Sequence, residues 1–150
     1  MALTSEHLAQ LTRRPLLAVL STVNPDGSPQ STPVWYEFDS EAFVVTSFAN
    51  RVKVRNLRRN PVASLVIVDT AGYGEPLTVG GSAEVIEEDA QEATLRGAIR
   101  YQGEERGRVS AAHMAGQPRV IIRITPERVL YEGEPIALMG RTITREDITG

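Results

Sequence analysis

The feature that most restricts the fold is the tetrapeptide Asn24-Pro25-Asp26-Gly27 together with the runs on either side of it. Proline presets a turn φ, asparagine and aspartate bond back to their own backbone, and glycine accepts a positive φ. Before the turn, LLAVLSTV (16–23) is an apolar run of strand length. After it, residues 28–39 read as a second strand. Two strands joined by so short a turn lie antiparallel. The pattern then repeats: Asp39-Ser40-Glu41 turns the chain into a third strand over 42–47. The chain is therefore expected to build an antiparallel sheet by successive hairpins.

The remainder fits that plan. A short helix over 5–11 is capped by Thr4 or Ser5 and stopped by Pro15. A basic helix spans 51–60 and ends at Pro61. Strands follow at 62–69 and 77–87, the second loosened by Gly80-Gly81, which marks a bulge or a close backbone approach. Helices are expected at 89–102, capped by Asp89, and at 104–115. One or two closing strands occupy 119–131 around Thr125-Pro126, and the stretch from Gly133 has no clear pattern. The sum is six or seven strands and three or four helices in one domain, 1–150. This is a mainly β (α+β) fold, best satisfied by a small antiparallel barrel with peripheral helices. Neither a secretory signal nor a membrane-spanning run is read in the sequence, since the longest apolar runs are about five residues. The absence of cysteine excludes disulfides, thiolate metal sites and a cysteine nucleophile, and fits a reducing, cytoplasmic setting.

Charge is unevenly placed. The chain has 16 Lys plus Arg against 19 Asp plus Glu, yet ANRVKVRNLRRNP (49–61) holds Arg51, Lys53, Arg55, Arg58 and Arg59 with no acid among them. Arg58 and Arg59, and Arg55 less clearly, suit a helix C-terminus and read as a solvated end. Arg51 and Lys53 fall in the first turn, where the macrodipole disfavours cations by roughly 0.3–1 kcal/mol each. Free N–H groups, a cap from Ser47 or Asn50 and two cations then converge at one helix end. That combination suits a phosphate or carboxylate. The strand over 28–39 carries Pro29 and Pro33, which remove ladder donors and leave neighbouring backbone groups available to a ligand. On it, one of Trp35 and Tyr36 points inward and the other outward.

Other chemistry is sparse. His7 and His113 lie on expected helices without ligand spacing to a partner. No metal site and no catalytic residue is assigned, and neither GxGxxG nor GxxxxGK occurs. Glu37, Asp39 and Glu41 read as solvent-facing, and Glu87, Glu88 and Asp89 as helix-dipole partners. An anion cradle without acid–base machinery suits a protein that positions a cofactor.

Three motifs carry a resemblance: DG-x-PQ-x-x-x-V-x-Y-x-F-D, then R-x-K-x-R-N-L-R-R, then P-x-A-S, all within residues 16–69. They resemble the split β-barrel flavin and deazaflavin oxidoreductases around pyridoxamine 5′-phosphate oxidase, and most nearly the F420-dependent branch. The resemblance implies a split barrel forming a homodimer with cofactor sites at the interface. It implies that Arg51 and Lys53 bind the cofactor phosphate, with Asn56 beside them and Thr46 and Ser47 facing the phosphate or ribityl part. The strand Gln30, Ser31, Thr32, Pro33, Val34 and Trp35 would run along the ring. Many relatives carry a polar residue where Pro33 stands. Gly80, Tyr73 and the Arg119 region are the candidates for the partner's wall.

The expected function is an F420-dependent oxidoreductase, passing hydride from the reduced deazaflavin to a small conjugated substrate, with water, Tyr36 or Tyr131 as proton donor. Arg55, Arg58 and Arg59 would meet the glutamyl tail. FMN on the same fold is the alternative, making a flavin oxidase or reductase. A non-catalytic carrier of F420, flavin or haem is a third reading. A nucleic-acid module is disfavoured by the net charge of −3.

Overall fold

The computed structural model describes residue 9, residues 11–69 and 76–131, and strand residues 134–135, 137–138 and 141–142. A helical turn over residues 11–13 precedes β1 (Leu17–Val23) and β2 (Pro29–Val34). Then come β3 (Glu37–Phe38), β4 (Phe43–Phe48), α1 (Val52–Arg59), β5 (Val62–Val68) and β6 (Leu77–Ile86). Helices α2 (Ala90–Gln102) and α3 (Glu104–Met114) lead into β7 (Arg119–Tyr131). Two-residue strands β8 (Glu134–Pro135), β9 (Ala137–Leu138) and β10 (Arg141–Thr142) follow. His7 and Tyr73 lie outside the described residues. Among those described, no helix is long and apolar enough to cross a membrane.

Every strand pairing is antiparallel, in the order β2-β1-β5-β6-β7-β4-β3, with β8 added to β7. The stretch expected as one strand over 28–39 is two, broken at Trp35-Tyr36, while Pro33 stays paired within β2 opposite Val19. β2 and β3 sit at opposite ends of the order, yet only Trp35 and Tyr36 separate them in sequence. Three Cα steps reach at most about 11 Å. A flat sheet of seven strands would hold its edges about 29 Å apart. The sheet must therefore curl until its ends approach, which gives the half-barrel.

Alternation fills the interior. Ala18 and Leu20 of β1, Leu65 and Ile67 of β5, Leu77 and Val79 of β6 and Ile122 and Ile124 of β7 are buried, and Val54 and Leu57 of α1 plug the same core. On β7 the inward positions switch from Val120, Ile122 and Ile124 to Val129. The register explains the change of parity: Gly80 pairs with Arg128 and Gly81 with Pro126, leaving Glu127 as the extra residue of a bulge. Gly81 has to be glycine, since a Cβ there would stand 1.9 Å from the Thr125 carbonyl oxygen. The bulge also admits Pro126 into an internal strand, so 119–131 is one strand and not two.

Of the acids expected to face solvent, Asp39 and Glu41 are exposed and Glu37 is partly buried, and all three carry ion pairs. Glu37 pairs with Arg96 at 2.5 Å, while Asp39 and Glu41 share Arg123. Burial pushes the Asp39 carboxyl up, but the N–H groups of Ala42 and Glu41 and the Arg123 guanidinium outweigh it and hold its pKa below the ordinary value.

Candidate anion-binding site

A cavity of about 250 Å³ opens on the outer side of the curled sheet. Leu17, Pro33, Val34 and Trp35 form one wall; Thr46, Ser47 and Phe48 of β4 form another. Arg51 and Lys53 enter from the start of α1, Thr94 from α2, Met114 from α3 and Arg119 from β7. Register places Phe48 opposite Arg119 and Thr46 opposite Ile121, on the face away from the core residues Val45 and Ile122. The same alternation that fills the barrel thus presents Thr46, Phe48 and Arg119 to the cavity.

Arg51 is the N-cap residue, in extended conformation, and Lys53 is the second helical residue. The expected cap from Ser47 or Asn50 is absent: no side chain caps α1. Ser47 Oγ donates to the Phe48 carbonyl at 3.0 Å, and the Asn50 carbonyl accepts from Arg55 at 2.8 Å. An uncapped helix start leaves its first N–H groups without intrahelical acceptors, and here they lie beside two cations.

Three cations converge with no acid partner among the described residues. Arg51 and Arg119 both lie over the Phe48 ring, at 5.1 and 4.5 Å from its centroid. Lys53 Nζ is 3.5 Å from Thr32 Oγ1. Burial, followed by Arg51 and Arg119, lowers the Lys53 pKa below the ordinary lysine value. Burial and then Arg51 lower that of Arg119. An anion entering this cavity would relieve the mutual repulsion.

Trp35 forms the apolar side. It is 40% exposed and stacks on Tyr101 with ring centroids 5.0 Å apart and planes inclined by 11°. Tyr101 Oη donates to the Leu16 carbonyl at 2.8 Å and accepts from the Tyr36 N–H at 3.1 Å. Tyr36 points inward, 2% exposed, its hydroxyl bonded to the Leu11 carbonyl, and burial raises its pKa far above that of a free tyrosine. It does not line the cavity and cannot serve as the proton donor considered for it. The side chain of Tyr131 lies outside the described residues.

Of the residues singled out in the sequence, Pro33, Val34, Trp35, Thr46, Ser47, Arg51 and Lys53 come together here. Gln30, Ser31 and Thr32 lie further along β2; Ser31 bonds Ser21, and Thr32 reaches the site only through Lys53. Asn56 is buried beneath α1. Its amide donates to Thr22 Oγ1 at 3.1 Å and Asn24 Oδ1 at 2.9 Å, and its oxygen accepts from Arg59. It ties the helix to the first hairpin. Arg58 and Arg59 are exposed in the last turn of α1, as expected, and there Arg58 pairs with Glu87 and Arg59 donates to the Val23 carbonyl. Sequence reasoning placed Arg119 only with a partner's wall and missed Leu17, Phe48, Thr94 and Met114. Phe48 lies next to the basic stretch, but nothing local joins 94, 114 and 119 to it.

The profile of the pyridoxamine 5′-phosphate oxidase family matches residues 4–133. The chain belongs to that family. A solved structure described as an F420 reductase is 30% identical, with a TM-score of 0.69 over 81% of this chain and 94% of its own. A conserved hypothetical protein of Mycobacterium tuberculosis is 27% identical, with a TM-score of 0.71 over 87% of this chain and 85% of its own. A putative pyridoxamine 5′-phosphate oxidase from Listeria innocua shares the fold at 23% identity, with a TM-score of 0.58 over 79% and 90% of the two chains. The fold is thus that of the flavin and deazaflavin oxidoreductases.

Proposed function

We propose that this chain is an F420-dependent oxidoreductase that reduces a small conjugated organic substrate. The observation that carries the reading is the convergence of Arg51 and Lys53 at an uncapped helix start, in the same cavity as the Pro33–Trp35 wall. The 30% identity to an F420 reductase supports it. Arg51, Lys53 and the free N–H groups of α1 would hold the cofactor phosphate. Pro33, Val34 and Trp35 would lie along the ring, with Thr46 and Ser47 between the two. When bound, the deazaflavin supplies hydride-transfer chemistry to an electron-poor acceptor. The protein binds and orients it. Among the described residues no Asp, Glu or His lines the cavity, and water or Tyr131 would supply the proton.

The reading includes a homodimer. Cofactor pockets span roughly 300–1,000 Å³, and the cavity of about 250 Å³ is open on one side. Leu17, at 47% exposure, and Trp35, at 40%, leave its rim apolar, and Val62 is a further exposed apolar residue of the sheet. A second copy over this surface would supply the missing wall and exclude water.

Side-by-side equilibrium binding of F420 and FMN to the cofactor-free protein tests the proposal. Tight F420 binding, weakened about 10- to 100-fold by Arg51→Ala or Lys53→Ala, is expected. Preferential FMN binding would make the chain a flavin enzyme on the same barrel. Tight F420 binding without turnover of any acceptor would make it a carrier.

A further inference from the structure

Arg119 is built into the cavity differently from the other two cations. Arg51 is exposed, and Lys53 has one long contact to Thr32. Arg119 is clamped from two elements: its Nε donates to Thr94 Oγ1 at 3.1 Å and its Nη2 to Thr46 Oγ1 at 3.0 Å. The Thr94 hydroxyl is itself fixed, because it donates to the Ala90 carbonyl at 2.7 Å and so offers Arg119 only its lone pairs. Phe48 stacks beneath the guanidinium. Such a clamp holds the fork in one orientation, and neither threonine neutralises its charge. A structural arginine in a half-buried place is normally paired with a carboxylate, as Arg123 is with Asp39 on the same strand. Arg119 faces Arg51 instead.

We infer that Arg119 is a pre-set anion-binding residue, and that with Arg51 and Lys53 it forms a three-cation site for a tetrahedral oxyanion of the phosphate class. This rests on reading the cavity as a phosphate site, and adds the residue that orients the oxyanion. Cations delivered by α1 and β7 approach the anion from different sides, which favours a phosphate over a planar carboxylate.

The probe is inorganic phosphate, titrated at constant ionic strength with chloride as the balancing ion. The readout is emission of Trp35, the single tryptophan of the chain, on the cavity wall. Wild-type protein is expected to bind phosphate more tightly than acetate. Arg119→Gln should lose about 10-fold or more, the loss of a charge-assisted contact. Thr94→Val should lose less, because the charge stays and only its orientation is released. If Arg119→Gln does not fold, Arg119→Lys serves, since a lysine cannot span both threonines; it too should bind more weakly than wild type. Phosphate affinity within about twofold of wild type in a folded Arg119 variant would overturn the inference, as would acetate binding as tightly as phosphate. Loss of binding in Arg51→Ala and Lys53→Ala, but not in the Arg119 variants, would overturn this inference and leave the proposed function standing. No phosphate binding by the wild type would overturn both.

Discussion

At the scale of single residues, the cavity is organised by cations that the fold forces together. Lys53 carries a pH signature. Its pKa in the folded chain lies below the ordinary value, so burying the charged amine costs stability wherever it is protonated in both states. That cost is full below the folded pKa and fades as pH rises through it towards the unfolded value. A bound anion reverses the preference and favours the protonated amine. Phosphate affinity should therefore fall as pH rises through the folded pKa of Lys53, earlier than for an exposed lysine. Lys53→Arg should flatten that fall in a titration from about pH 7 to 10. Tyr101 gives a second residue-scale expectation. Tyr101→Phe keeps the stack on Trp35 but removes the bond to the Leu16 carbonyl and the acceptor for the Tyr36 N–H. It should cost about 1–3 kcal/mol in urea unfolding and leave Trp35 emission nearly unchanged. Tyr101→Leu should also shift that emission to the red, because the ring covering Trp35 is gone.

Between elements, the β6–β7 pairing decides which residues of the last long strand face the core. The bulge at Glu127 changes the parity of β7, so that both Ile124 and Val129 point inward. The two glycines opposite it are not equivalent. At Gly81 a methyl group would strike the Thr125 backbone oxygen, whereas at Gly80 it would meet the end of the flexible Arg128 side chain at 3.1 Å. Gly81→Ala should destabilise the fold by about 1–3 kcal/mol, and Gly80→Ala by clearly less. Urea midpoints of the two variants, with equal slopes, would establish the order. The Gly80-Gly81 pair announced a bulge or a close approach in the sequence. Which strand carried the extra residue was set by pairing partners about 45 positions away.

For the whole molecule, the open side of the cavity is the main expectation. A homodimer across Leu17 and Val62 would make cofactor affinity depend on assembly. Val62→Glu should shift the chain to monomer in analytical ultracentrifugation. Cofactor binding should weaken in step, although Val62 does not line the cavity. A monomer that binds as tightly as wild type would separate the site from the interface.

Local chemistry was enough for a good part of this. Turn residues at 24–27 and 39–41, alternating apolar runs, and Pro61 ending the basic helix specify antiparallel hairpins and where the helix stops, since those signals act within a few residues. Arg51 and Lys53 stood out because cations at a helix start defy the dipole, and the structure brings both to one cavity. The helix cap was misjudged, since whether Ser47 reaches an N–H or its neighbour's carbonyl depends on side-chain geometry. Asp39 and Glu41 stay exposed as expected, but the ion pairs that Glu37, Asp39 and Glu41 make were not legible, because their partners, Arg96 and Arg123, are about 60 and 80 positions away. Arg119 was seen as a wall and not as a cation of the site, for the same reason. Its partners Thr46, Phe48 and Thr94 meet it only once β4 pairs with β7 and α2 lies across them. Residue identity by itself determined the hairpins and the charge of α1. Only the tertiary structure decided which distant side chains would share a cavity with it, because contact between them exists only when the sheet has curled.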